Sequence, residues 1–81
     1  MYFVYILKSL KSDIYYTGIA KDIQQRLINH NKGKSRFTKG HLPWKLIYSE
    51  GPYETSEARE IEKYYKTTTG KATLKLKGII H

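Results

Sequence analysis

The alternation of hydrophobic and polar stretches divides the chain into short elements. Tyr2-Phe3-Val4-Tyr5-Ile6-Leu7 is an unbroken run of aromatic and aliphatic residues, the pattern of a strand covered on both faces. Lys8 to Asp13 supplies polar turn residues. Ile14-Tyr15-Tyr16-Thr17-Gly18-Ile19 then repeats the composition of the first run, which predicts an antiparallel hairpin. From Asp22 to about Asn31, Ile23, Leu27 and Ile28 recur at helical spacing, and Gly33 follows as a stop signal. Gly33 to Pro43 has no periodicity and predicts a loop. Trp44-Lys45-Leu46-Ile47-Tyr48-Ser49 predicts a third strand, with Pro43 just before it and Gly51-Pro52 as its end. Thr55 or Ser56 can cap a helix running to about Thr68, with Ala58, Ile61 and Tyr65 on its apolar face and Gly70 as its stop. In the tail, Ala72, Leu74 and Leu76 alternate like a strand, whereas Ala72, Leu76 and Ile79 fit a helix; a short helix is the preferred reading. The order β-β-α-β-α-α predicts an α+β fold, a small sheet with helices packed on it.

Length and composition narrow the function. Eighty-one residues predict one domain, spanning 1–81. The absence of Cys excludes disulfides, Cys-ligated metals and thiol nucleophiles, leaving His and carboxylates as metal ligands. The apolar run before Lys8 is too short for a signal peptide or a membrane span, so a soluble cytoplasmic protein without a membrane partner is expected. The net charge of +8 favours a polyanionic partner, with solubility charge as the plain alternative. Position sharpens this. Lys32, Lys34, Arg36, Lys39 and Lys45 fall in a stretch without acids, and so do Lys63, Lys66, Lys71, Lys75 and Lys77, whereas most acids fall at Glu50, Glu54, Glu57, Glu60 and Glu62. Acids early and lysines late suit the second helix's dipole; the basic loop has no such explanation.

No phosphate loop, dinucleotide glycine motif or His-Glu-x-x-His zinc helix is present. The informative residues are polar ones set where the pattern asks for apolar ones. Arg26 and His30 form an i, i+4 pair edging the stripe of the first helix, able to present a guanidinium and an imidazole to one ligand; taken alone, an amphipathic rim is the favoured account of them. Glu62 falls at the border of the second helix's buried face and needs a cation, with Lys66 one turn on the favoured partner over Arg26 or a divalent metal. Tyr5 and Tyr16 are directly opposed if the hairpin turn centres on residues 10 and 11, or diagonal if the register slips by two; strand tyrosines also serve as core residues. Gly18 inside a strand marks a bulge or a close backbone approach.

Together these residues resemble the GIY-YIG nuclease domain, over nearly the whole chain. Phe3-Val4-Tyr5 stands at the first triplet, lacking its Gly and Ile, and Tyr16-Thr17-Gly18 stands at the second, with Thr for Ile. Arg26, His30-Asn31, Gly33-Lys34 and Ala58 with Glu62 and Lys66 complete the pattern, which is that of the small stand-alone bacterial subgroup. The resemblance implies a three-stranded antiparallel sheet flanked by helices and a one-metal phosphodiesterase acting on DNA. It implies Tyr5 as general base or water activator, Tyr16 as its partner near the scissile phosphate, and Arg26 as holder of phosphate charge. His30 would assist proton transfer, and Glu62 would hold Mg2+ or Mn2+. A free phenol titrates near pH ~10, so Tyr5 could act as a base at neutral pH only if cations lower it; His30 is the less demanding candidate.

The expectation is therefore a metal-dependent DNA endonuclease of low sequence specificity, of a repair or recombination type. Lys32, Lys34, Arg36, Lys39, Lys66 and the basic tail would contact phosphates. Branched or damaged DNA, a homodimer and a protein partner stay open. The competing expectation is a noncatalytic nucleic-acid-binding module stacking bases on Tyr15, Phe37 or Trp44. A third is an assembly domain whose charge serves solubility.

Overall fold

The computed structural model describes residues 1–81. Its centre is a 3-stranded antiparallel sheet in the order β2-β1-β3, formed by β1 (Tyr2–Ser9), β2 (Tyr15–Ala20) and β3 (Trp44–Tyr53). Helix α1 (Ile23–Asn31) follows the hairpin, and α2 (Thr55–Tyr65) and α3 (Thr68–Leu76) follow β3. The element order is the expected β-β-α-β-α-α. No helix is long and apolar enough to cross a membrane.

The continuous apolar run of β1 is explained by its central place, because its alternate side chains enter two different cores. Val4 and Ile6 pack with Ala58 and Tyr65 of α2, Leu74 of α3, and Ile80. Tyr5 and Leu7 pack on the other face with Ala20 and Trp44, against which Ile23 and Leu27 of α1 are laid. Asp22 caps α1 by accepting from the Gln25 amide at 3.0 Å. Ile28, expected in the core, is exposed. At about 100° per residue it points about 140° away from Ile23, whereas His30 falls within about 20° of Ile23, so the stripe runs through the histidine instead.

Two stop signals behave differently from expectation. Strand β3 continues through Gly51-Pro52 to Tyr53. Val4 pairs with Glu50 and Tyr2 with Tyr53, so one extra residue on β3 is absorbed as a bulge, and as an edge strand β3 tolerates Pro52. Helix α2 ends at Tyr65, before Gly70, because Thr67 caps a new helix by accepting from the Gly70 amide at 3.0 Å. Gly70 lies inside α3 for a packing reason: a Cβ there would sit 1.8 Å from the Tyr64 carbonyl oxygen. The tail is thus helical only as far as Leu76, with Ile79 beyond the helix, and the helix starts earlier than its apolar spacing indicated. The segment Gly33 to Pro43 is ordered by a short 3-10 turn at Thr38–His41.

Candidate active site

The hairpin register decides how the two tyrosines meet. Tyr5 pairs with Gly18 and Leu7 with Tyr16, so Tyr5 and Tyr16 are diagonal neighbours on one face, their ring centroids 6.3 Å apart. Gly18 is what lets the Tyr5 ring lie across β2. A Cβ at position 18 would stand 2.6 Å from the Tyr5 hydroxyl oxygen and 2.8 Å from Cζ, closer than any side chain allows.

That ring reaches α1. The Tyr5 Oη lies 2.9 Å from Nε2 of His30, and Nδ1 of His30 lies 2.8 Å from the Thr38 Oγ1. All three are buried, at 1%, 3% and 0% exposure. Buried polar atoms are tolerated only when partnered, and here each completes the next. The 3-10 turn carrying Thr38 is fixed from behind, since the Trp44 indole N–H donates to the Thr38 carbonyl at 2.8 Å. Asn31, the last residue of α1, clamps the start of β3 by donating to the Trp44 carbonyl and accepting from its amide. Thr38, Asn31 and Gly18 thus position the site. Thr38 carries no periodic signal in the sequence, whereas the glycine in a strand flagged its own close approach.

Electrostatics assigns protonation states. Burial pushes the Tyr5 phenol well above its ordinary range; the nearby charges of Tyr16 and Glu62 add to this, and Arg26 only partly opposes it. The lowered phenol that a free phenolate base requires is not what this environment produces. Burial, then the Arg26 charge, pushes His30 below its ordinary value, so it is a neutral imidazole near pH 7.

An open cleft of about 240 Å³ borders this chain of groups at His30, lined by Tyr16, Arg26, Asn29, His30, Lys34 and Ser35. Tyr16 packs edge-on against the imidazole at 5.0 Å between centroids. Arg26 is exposed and meets His30 only across the cleft wall, so the helical pair divides into a buried imidazole and a solvent-facing guanidinium. Glu62 is half-buried and bonded to Lys66 at 3.2 Å, the pairing its helical spacing favoured, while its charge is felt at Tyr5. Lys66 lines an adjoining cleft with Tyr16; Lys32, Arg36 and Lys39 are exposed on the basic loop.

No three His, Asp or Glu side chains converge into a self-contained metal cage. The donor set at Glu62 is a single accessible carboxylate. This suits a hard divalent ion that keeps its waters and takes the rest of its ligands from a substrate phosphate. Trp44, a candidate stacking face, is only 3% exposed and cannot meet a base, whereas Phe37 is open.

Comparison with known proteins places the chain in a family. The family model for the GIY-YIG catalytic domain matches residues 1–75. A UPF0213 protein of Staphylococcus epidermidis is 42% identical over 76 residues, covering 93% of this chain and 92% of that protein. One from Staphylococcus aureus is 43% identical over 77 residues, with the same coverage of 93% and 92%. One from Streptococcus agalactiae is 37% identical over 73 residues, covering 89% and 82%. No solved structure matches the chain. With a family model spanning nearly its whole length and relatives of its own size, the chain belongs to the GIY-YIG nuclease family.

Proposed function

We propose that residues 1–81 act as one GIY-YIG-like domain, a metal-dependent endonuclease that hydrolyses DNA phosphodiester bonds with little sequence specificity. The observation that carries this reading is the buried Tyr5–His30–Thr38 chain bordered at His30 by a cleft walled by Tyr16, Arg26 and Lys34.

Hydrolysis needs a deprotonated water and compensation of the charge that grows on the phosphoryl oxygens. The raised pKa of Tyr5 is no obstacle when its proton has an acceptor. As water attacks phosphorus, its proton passes to the Tyr5 Oη while the Tyr5 proton passes to Nε2 of His30, and the imidazolium keeps its Nδ1–H on the Thr38 Oγ1. The P–O bond to the leaving oxygen breaks, and solvent protonates that oxygen. Arg26 and Lys34 hold the phosphate and offset its charge, and Tyr16 packs the imidazole and orients the backbone. Glu62 would hold Mg2+ or Mn2+, which supplies Lewis-acid polarisation of the phosphate when bound. Lys66, one turn from Glu62, is paired with the carboxylate at 3.2 Å and would be free to meet a phosphate were an ion held there.

Supercoiled, linear and branched DNA incubated with magnesium, manganese or a chelator tests the reading. Cleavage should require the divalent ion. Glu62→Ala should abolish cleavage with DNA binding intact or tighter, since a negative charge is removed. Tyr5→Phe should cost about 10²–10⁴-fold in rate, the range for losing a proton-transfer group. Metal-independent cleavage, or binding without any cleavage, would sink it; full activity in a variant would remove that residue from the mechanism.

A further inference from the structure

Phe37 is the residue that the catalytic chain leaves unexplained. It lies on the basic loop, 56% exposed, its ring 5.8 Å from that of Tyr16 and tilted from it by 32°. Exposed apolar residues scattered singly are ordinary, but this one lines a cavity. A cleft of about 290 Å³ is walled by Tyr15, Tyr16, Thr17, Phe37, Lys66 and Lys71. A second, of about 420 Å³, shares Tyr15, Phe37 and Lys71 and continues past Lys75 to His81. Tyr16 also lines the catalytic cleft, so the three form a continuous path leading away from His30 across β2 toward α3.

The chemistry of the path is uniform. Aromatic faces alternate with Lys66, Lys71 and Lys75; Lys71 and Lys75 form no ion pair, and Asp13 at the far end is bonded to Lys8. Aromatic rings interleaved with unpaired ammonium groups are what a flexible polyanion with flat apolar units requires. Duplex DNA offers its phosphates to such a surface but keeps base faces stacked inside, so an aromatic ring can be used only by an unpaired base.

We propose that this groove binds unpaired nucleotides of a DNA strand, with a base stacked on Phe37 and the following phosphates on Lys71 and Lys75. The substrate of the catalytic cleft is then DNA carrying a single-stranded segment beside the scissile phosphate. That last step rests on the endonuclease reading; the groove does not.

Binding without turnover separates the two. Fluorescence anisotropy of labelled oligothymidylate and of a labelled blunt duplex, both in chelator, reads the groove alone. Phe37→Ala and Phe37→Leu should each weaken oligothymidylate binding about tenfold, the scale of one base stacked on an aromatic ring. Phe37→Trp should retain it, and duplex binding should change less than about twofold in all three. The leucine variant keeps apolar bulk against Tyr16, so a purely structural role for Phe37 would leave it unaffected; thermal melts check that each variant is folded. Lys71→Ser combined with Lys75→Ser should reduce the single-strand salt slope by about 1.4, two phosphates at ~0.7 each. Wild-type oligothymidylate affinity in Phe37→Leu, or equal losses on duplex, overturns the proposal. Absence of cleavage of every DNA form with magnesium or manganese would fell the endonuclease reading and leave this result standing.

Discussion

One imidazole in the candidate site has both of its nitrogens committed. Nε2 of His30 lies 2.9 Å from the Tyr5 Oη and Nδ1 lies 2.8 Å from the Thr38 Oγ1. Thr38→Val preserves shape and removes the anchor, so the ring loses its fixed tautomer. The rate should fall about tenfold or more with KM little changed, and Thr38→Ser should restore it; a Val variant with unaltered rate and pH profile would remove Thr38 from the device. The depressed pKa of His30 gives a second test. In the proposed relay the neutral imidazole accepts the proton, so the acid limb of kcat/KM should lie below the ordinary histidine value of about 6.5. Arg26→Gln lowers the cost of the imidazolium, and the limb should move to higher pH as overall activity drops. Tyr5 and His30 were legible in the sequence because each is a polar group in an apolar stripe. Thr38 was not, because its position makes sense only after the loop folds beneath Trp44.

Elements meet here through single residues that propensity misreads. Gly70 and Gly51 look like punctuation, yet one sits at a helix crossing and the other in a bulge within a continuing strand. Glycine signals a missing Cβ, and sequence spacing alone does not say whether a turn or a neighbour needs the space. Gly18 is the case that matters for chemistry. Gly18→Ala forces the Tyr5 ring off β2, which should break the His30 bond and cut activity at least tenfold, with about 1–3 kcal/mol of stability lost to overpacking. Behind the other face, β3 and α2 are tied by one carboxylate. Glu50 accepts from the hydroxyls of Tyr48 at 3.0 Å and Tyr53 at 2.7 Å, and from that of Tyr65. Burial alone would raise its pKa, but the three phenol donors, with help from Lys77, outweigh it and leave the carboxyl below its ordinary value. A carboxylate favoured in the folded state contributes stability above its unfolded pKa of about 4.3, and that contribution is lost as pH falls through the folded value. Melting temperature should therefore fall steeply below about pH 4.5. Glu50→Gln should be less stable at pH 7 by about 1–3 kcal/mol and flatten that acid dependence. An unchanged acid slope in the variant would show that other groups control it.

For the whole molecule, the question is whether +8 of net charge is a solubility device or a binding surface. The fold argues for the second, because it ties Asp13 and Glu62 to lysines and gathers unpaired bases at the cleft. Asp13 is held by Lys8, Glu62 by Lys66 and Glu50 by tyrosines, whereas Arg26 and Lys34 line the cleft at His30 with Lys71 beyond it. The basic loop was readable from the sequence as a charge run without acids. Its juxtaposition with α1 was not, since that depends on Asn31 clamping the head of β3 and so folding the loop back over the helix end. Duplex DNA on this surface releases about 0.9 counterion for each phosphate neutralised. Contact through Arg26, Lys34 and one or two loop bases gives a slope of about −3 to −4 for log affinity against log salt. Lys34→Ser should shallow the slope by about 0.9 and weaken all duplex sequences alike, because an ammonium on a phosphate positions the duplex without reading it. Exposed Arg59 of α2, which lines neither cleft, provides the comparison: Arg59→Ser removes the same charge outside them and should leave the slope unchanged. Equal effects from the two substitutions would mean that net charge alone attracts DNA; a loss confined to Lys34 localises the phosphate path to the cleft at His30.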